Sequence, residues 1–251
     1  MEDREQLALN LPPFGELKRE RFSWVGQTKI AFWAGCQARV DEYHKIPASD
    51  GTVVVDIDPL AVPPSQEQIK ALEFLLQNEE LVCTNLLKAV FEIYPKEREV
   101  FRKAYGYSND MDEEEKEDFE EEYGYDVPVI EQPGELKDLI KLHTIHIQST
   151  AKDGIAYLGY EFDCNWEEEH GLGVMMHGSR VIEIGPAEVA FNSVDKEDGQ
   201  VDLELLYGEG VDMVDPNAEP EGYLVPNPET VGMLEELTRF RNLEEGKTRG
   251  N

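Results

Sequence analysis

Residues 142–184 carry the strongest constraint on the fold, a run of alternating segments joined by short turns. In 142–149, Ile145 and Ile147 alternate with Thr144, His146 and Gln148. Lys152-Asp153-Gly154 is a hairpin signal, because Asp and Gly tolerate the positive φ of a tight turn. In 155–164, Leu158, Tyr160, Phe162 and Cys164 point one way, and Tyr157, Glu161 and Asp163 the other. Residues 172–176 and 180–184 flank a second turn, His177-Gly178-Ser179. Ile182 and Ile184 are expected to face the core while Glu183 meets water. Short links between alternating segments require antiparallel order, so the pattern predicts a meander of four strands.

The first half reads as strands and then helices. FSWVGQTKIAFW at 22–33 is rich in aromatic and β-branched residues, and GTVVVDID at 51–58 follows the turn signal Ser49-Asp50-Gly51. Ser65 with Gln68 fits a capping box, ahead of the helical stripe Ile69, Leu72, Leu75 and Leu76, with Asn78 as the stop. Cys83, Leu86, Leu87, Val90, Phe91 and Tyr94 form one buried face. Pro95 is expected to break or restart that helix, leaving 96–105 as a short amphipathic segment. The acidic block at 108–126 is expected to stay solvated or mobile, since its charges repel one another. A short helix is expected at 134–139.

Strands, helices, then strands favour segregated layers. The expected class is α+β: an antiparallel sheet from both halves of the chain, with a helical unit at about 65–105 packed against it. One domain is expected over 14–192, with 108–126 as an acidic insertion. Residues 193–251 read as an acidic C-terminal extension. Within it, Val201, Leu203, Leu205 and Tyr207 alternate like a strand, and Asn227-Pro228 opens a terminal helix with Met233, Leu234, Leu237 and Phe240 on one side.

Charge narrows the partners. The 251 residues hold 54 acids against 23 Lys plus Arg, a net charge of −31. Such a surface is repelled by a nucleic-acid backbone and by anionic lipid. Basic proteins and cations remain. The N-terminal MEDREQLALNLPPF lacks the apolar run of a signal peptide, and no stretch approaches a membrane span. Cys36, Cys83 and Cys164 are sparse and odd in number, against a disulfide framework. A cytoplasmic location is the expectation.

Glu167, Glu168, Glu169 and His170 stand together in DCNWEEEHGLG at 163–173, where a carboxylate and a histidine could act as base and orienter. Acid-base groups need pKa values shifted by burial or charge pairing, whereas glutamates between two strands face water. Gly171 and Gly173 fit a turn, bulge or close backbone approach. Asp110, Asp112, Glu114, Asp118 and Glu121 fall at positions one, three, five, nine and twelve of a calcium-loop template, but the sixth position is Glu115 rather than glycine. His143 and His146 differ by an odd number, so a regular strand puts them on opposite faces, unable to grip one ion. The chain holds no GxSxG, P-loop, HExxH or zinc-type cysteine spacing.

The run YEFDCNWEEEHGLGVMMH at 160–177, with RVIEIG at 180–185 and Ala190-Phe191, resembles an uncharacterised bacterial domain family. The likeness covers roughly 14–192, includes PSQEQ at 64–68 and Asn78-Glu79-Glu80, and is most specific in the W-x-E-E-H-G-L-G hairpin. A domain of unknown function carries no catalytic residues across. Related small bacterial proteins resemble immunity or partner-binding proteins of toxin systems. The leading expectation is therefore a non-catalytic acidic binding protein acting on a basic protein partner, with an immunity-like role as one form. A hydrolase-like enzyme with a site near Glu167–His170 and a calcium-responsive module at 110–121 are the alternatives. No cofactor is expected outside the calcium reading.

Overall fold

Eight strands lie side by side in chain order: β1 (Ala8–Leu11), β2 (Gly15–Arg19), β3 (Trp24–Lys29), β4 (Thr52–Ile57), β5 (Ile140–Lys152), β6 (Ile155–Cys164), β7 (Leu172–His177) and β8 (Arg180–Gly185). The structure, a computed structural model, describes residues 8–20, 23–38, 47–58, 63–167 and 169–192. The strand and helix expected beyond 193 lie outside the described residues. Neighbouring strands are antiparallel except β4 and β5, which run parallel with Val54 opposite Thr144. A parallel pair needs a long crossover, and the helices α1 (Gln66–Gln77), α2 (Glu79–Ala104) and α3 (Glu113–Tyr123) occupy it. The class is α+β.

The meander forms where alternation places it. Asp153 and Gly154 take φ of 52° and 78° at the β5–β6 turn, the positive pair a tight hairpin demands. In the first half the strand covers only Trp24–Lys29; a 3-10 turn at Ala31–Trp33 then seats Trp33 edge-on to Phe162, ring centroids 5.1 Å apart. The helix expected at 134–139 is a 3-10 turn, Pro133–Asp138.

Ser65 and Gln68 complete the predicted capping box, and Asn78 separates α1 from α2. α1 contacts β5 and β6, and α2 contacts β8. Contrary to expectation, α2 runs unbroken through Pro95 to Ala104. Pro95 is exposed, so the carbonyl it deprives of a donor can turn to water. Buried Tyr94 and Phe101 hold the helix to the core on either side. Tyr94 Oη donates to Pro128 O at 2.8 Å and Arg98 Nε to Val127 O at 2.7 Å. These contacts outweigh a proline cost of about 3 kcal/mol.

The acidic block keeps its carboxylates solvated, as expected, but residues 113–123 form a regular helix, α3. Asp112 caps the helix, accepting from the Glu114 and Glu115 backbone N–H groups at 3.0 Å each, while the Glu115 side chain returns to Asp112 N at 2.9 Å. Three glutamates in the first turn suit the positive end of the helix dipole. Phe119, buried among acids, packs on Tyr107 and Tyr123 and fixes the helix to the protein.

Behind the sheet, a 3-10 strap at Ala187–Ala190 closes a second, small core of Tyr157, Met175 and Val189. Ile182 packs there, not with the main core as alternation required; a register shift at Met175/Met176 inserts one extra residue and reverses the parity. The strap presses on β6: a Cβ on Gly159 would stand 1.6 Å from Ala190 O. No described helix is long and apolar enough to cross a membrane.

Two stability changes follow. Pro95→Ala restores a helical donor and should raise the thermal midpoint, by up to about 3 kcal/mol in unfolding free energy. Gly159→Ala forces the strap off the sheet and should cost about 1–3 kcal/mol, measured by urea unfolding; an unchanged midpoint would mean the strap yields freely.

Candidate functional site

The turn from β6 to β7 carries three of the four proposed acid-base residues into view; Glu168 lies outside the described residues. Trp166 anchors the turn, buried against Tyr94 with ring centroids 5.2 Å apart. The backbone then folds on itself, with Gly171 N donating to Glu167 O at 3.0 Å. Gly171 has φ +67°, and a Cβ there would meet Phe162 O at 2.6 Å, so the turn needs glycine for both conformation and space. Glu167 Oε1 lies 3.1 Å from His170 Nδ1 and accepts from His170 N at 3.3 Å.

Both partners are about half exposed, 44% for the Glu167 side chain and 57% for His170. The hydrogen bond to Glu167 and its charge raise the His170 pKa. This favours an imidazolium already paired to its carboxylate, in water, rather than a free base held in a dry cleft. Glu169 is exposed beside it.

Sequence did not foretell that this turn forms one wall of a groove of about 490 Å³. The other wall is the second half of α2, with Ile93, Glu97, Val100, Phe101, Ala104 and Tyr105. Ile184, Gly185 and Pro186, at the end of β8, complete it. The apolar stripe on α2 was the available signal, but its uncovered end is a tertiary fact. Tyr105 stacks on Phe101 at 4.3 Å and reaches Tyr123 of α3 at 5.1 Å, so the groove ends against the acidic helix.

The calcium-template residues do not ring a loop. Glu114, Asp118 and Glu121 lie along α3, Asp112 spends its carboxylate on capping, and Asp110 precedes the helix. Among the described residues, no group of three or more His, Cys, Asp or Glu side chains is placed to hold a metal ion.

The histidines of β5 correct the parity argument. A register shift between Leu142 and Thr144 brings both toward one carboxylate: Glu161 Oε2 lies 2.8 Å from His146 Nε2 and 3.9 Å from His143 Nδ1. The signal was present, because core positions Leu142 and Ile145 are three apart and a regular strand keeps even spacing. His146 Nδ1 also faces Asp56 Oδ2 of β4 at 3.5 Å. One imidazole thus ties three strands.

Burial alone would lower the His146 pKa, but hydrogen bonds to Asp56 and Glu161 and their charges more than reverse this, so it is raised. Burial alone would raise Asp56, yet bonds from His146 and Ser23 leave it lowered. Glu161 is lowered chiefly by its hydrogen bond from His146. With a carboxylate facing each ring nitrogen, the site favours the protonated imidazole and gives His146 a structural role.

The pH dependence follows from these directions. The His146 contribution is complete below its ordinary value of 6.5 and fades as pH rises through the higher folded value. The contributions of Asp56 and Glu161 hold above their ordinary values and fail on acidification through their lower folded ones. His146→Gln should therefore cost about 1–3 kcal/mol near pH 6, with the gap to the parent narrowing toward pH 9. A gap independent of pH, measured by chemical unfolding, would show that the imidazole is not charged in the fold.

Neither the curated proteins nor the solved structures contain a match to the chain. A family model described as a domain of unknown function matches residues 13–191, as the sequence resemblance implied. The chain belongs to this family, DUF6985.

Proposed function

We propose that this protein is a non-catalytic binding protein whose acidic surface engages a basic protein partner. The observation that carries the reading is α3, which displays a dense set of carboxylates on an ordered, anchored helix. Glu113, Glu114, Glu117, Asp118, Glu121 and Glu122 are exposed along it. Among the described residues its ion pairs join Glu113 to Lys116 and Glu120 to Arg98 and Arg102. Most of the helix's charge is therefore open to an outside cation. A fixed array of one sign steers a complementary partner and raises its encounter rate. An immunity-type role is one form such binding could take.

The exposed Glu167–His170 pair supports this reading over the hydrolase alternative, since neither group is held dry. The three cysteines are free and buried. Burial pushes the Cys36 thiol up to about 11 and those of Cys83 and Cys164 up to about 12, so they stay protonated at neutral pH. Inert thiols without disulfides support a reducing, cytoplasmic setting.

The test compares the parent with a Glu114→Gln, Glu117→Gln, Glu121→Gln variant as bait in a native extract over a salt series. Proteins of high isoelectric point should be captured at low salt. Capture should fall about tenfold or more by 0.5 M salt, where screening acts over a few ångströms, and should be weakened in the variant. Salt-insensitive capture of acidic or neutral proteins by both baits would overturn the reading.

A further inference from the structure

α2 is too long for the sheet beneath it. Its first half buries Val82, Cys83, Leu86, Leu87, Val90 and Tyr94. Past Pro95 the same apolar stripe continues through Val100, Phe101 and Ala104 to Tyr105, but β8 is the last strand of the sheet. The stripe instead overhangs the β6–β7 turn and forms the groove. Val100 and Tyr105 stand 55% and 50% exposed on its wall. The floor is apolar, with Phe101, Trp166, Leu172 and Ile184.

The rim carries charge of one dominant sign. Glu97 lies on α2 and Glu169 on the facing turn, beside Glu167, whose carboxylate is paired with His170; among the described residues Lys96 is the only Lys or Arg lining the groove. An occupant must therefore offer apolar side chains to the floor and cations to both walls.

We infer that the groove between the second half of α2 and the β6–β7 turn is a docking site for an amphipathic segment of another protein, with Lys or Arg flanking aliphatic side chains. This rests on the reading of the protein as a binder of basic partners, and it names where such a partner is held. The segment's apolar residues replace water over Val100 and Tyr105. Its cations meet Glu97 on one wall and Glu169 on the other. Helix-in-groove docking of this kind takes specificity from the apolar anchors and orientation from the charged rim.

The probe is a fluorescein-labelled amphipathic Leu/Lys peptide, with a Leu/Glu peptide of the same pattern as control, followed by anisotropy at fixed salt. The parent should bind the Leu/Lys peptide and not the control. Val100→Asn, and separately Glu97→Lys with Glu169→Lys, should each weaken binding about tenfold or more. The α3 triple glutamine variant should stay within about threefold. All the substituted positions are partly or fully exposed, and matching melting curves check that each variant folds. If the α3 variant loses binding while both groove variants keep it, the groove is wrong and the charge-based reading stands. If the parent ignores the Leu/Lys peptide, the groove proposal fails outright, and the salt series with native extract decides the broader reading separately.

Discussion

Gln68 holds together the two halves of the topology. Its Oε1 accepts from Ser65 N at 2.9 Å and so closes the start of α1. Its Nε2 donates to Ile147 O at 3.3 Å and Gln148 O at 3.1 Å on β5, and to Asp58 O just beyond β4. One buried amide therefore fixes the first helix of the crossover against the pair of parallel strands that the crossover must join. Among the described residues that pairing is the only parallel one, and it obliges the chain between β4 and β5 to leave the sheet and return. Replacing the amide with an apolar group of similar size would leave carbonyls in the middle of β5 and just past β4 without this donor, a larger loss than a missing contact.

The positions of α2 and the strap follow from that arrangement. Helices cover one face of β5, β6 and β8, so the opposite face needs its own cover. The strap at Ala187–Ala190 supplies it, tied by Gln148 Nε2 donating to Ala190 O at 3.2 Å. β5 thus offers Ile145 and Ile147 to the main core and Gln148 to the strap. His146, on the strap side, sits under the edge of Phe191 with ring centroids 5.3 Å apart. A charged imidazole is tolerable there because two carboxylates compensate it; unpaired, it would carry the full desolvation cost.

Much of this was legible in the sequence because the physics was local. The Ser65–Gln68 box, the Asp153-Gly154 turn and the alternation of β6 need only near neighbours. What escaped depended on a shift of register or on distant partners. Two bulges, at Leu142/Thr144 and Met175/Met176, each broke parity locally, which is why His143 meets Glu161 and Ile182 joins the smaller core while Ile145, Ile147 and Ile184 keep their expected face. The first bulge could have been read from the broken spacing of apolar residues. Pro95 and the acidic block misled for a different reason. Each has an unfavourable local preference, and each is overridden by buried aromatics, Tyr94 and Phe101 in one case and Phe119 in the other. The candidate site divided in the same way: the turn at Glu167–His170 was visible as a turn, but the helix wall opposite it was not.

That wall changes what the acidic composition can accomplish. Net charge alone gives attraction without address, and at physiological salt its reach is only about 8 Å. The carboxylates of α3 act over that distance on any cationic surface, so on the proposed reading they govern how often a partner arrives. Residence needs something screened less by salt, namely apolar area removed from water. Val100 and Tyr105 provide such area at the end of the groove nearest α3, with Tyr105 touching both features. Affinity differences among related complexes lie mostly in dissociation rather than encounter. Discrimination between basic partners would therefore reside in the shape of the α2 overhang, and the acidic helix would serve whichever partner fits it.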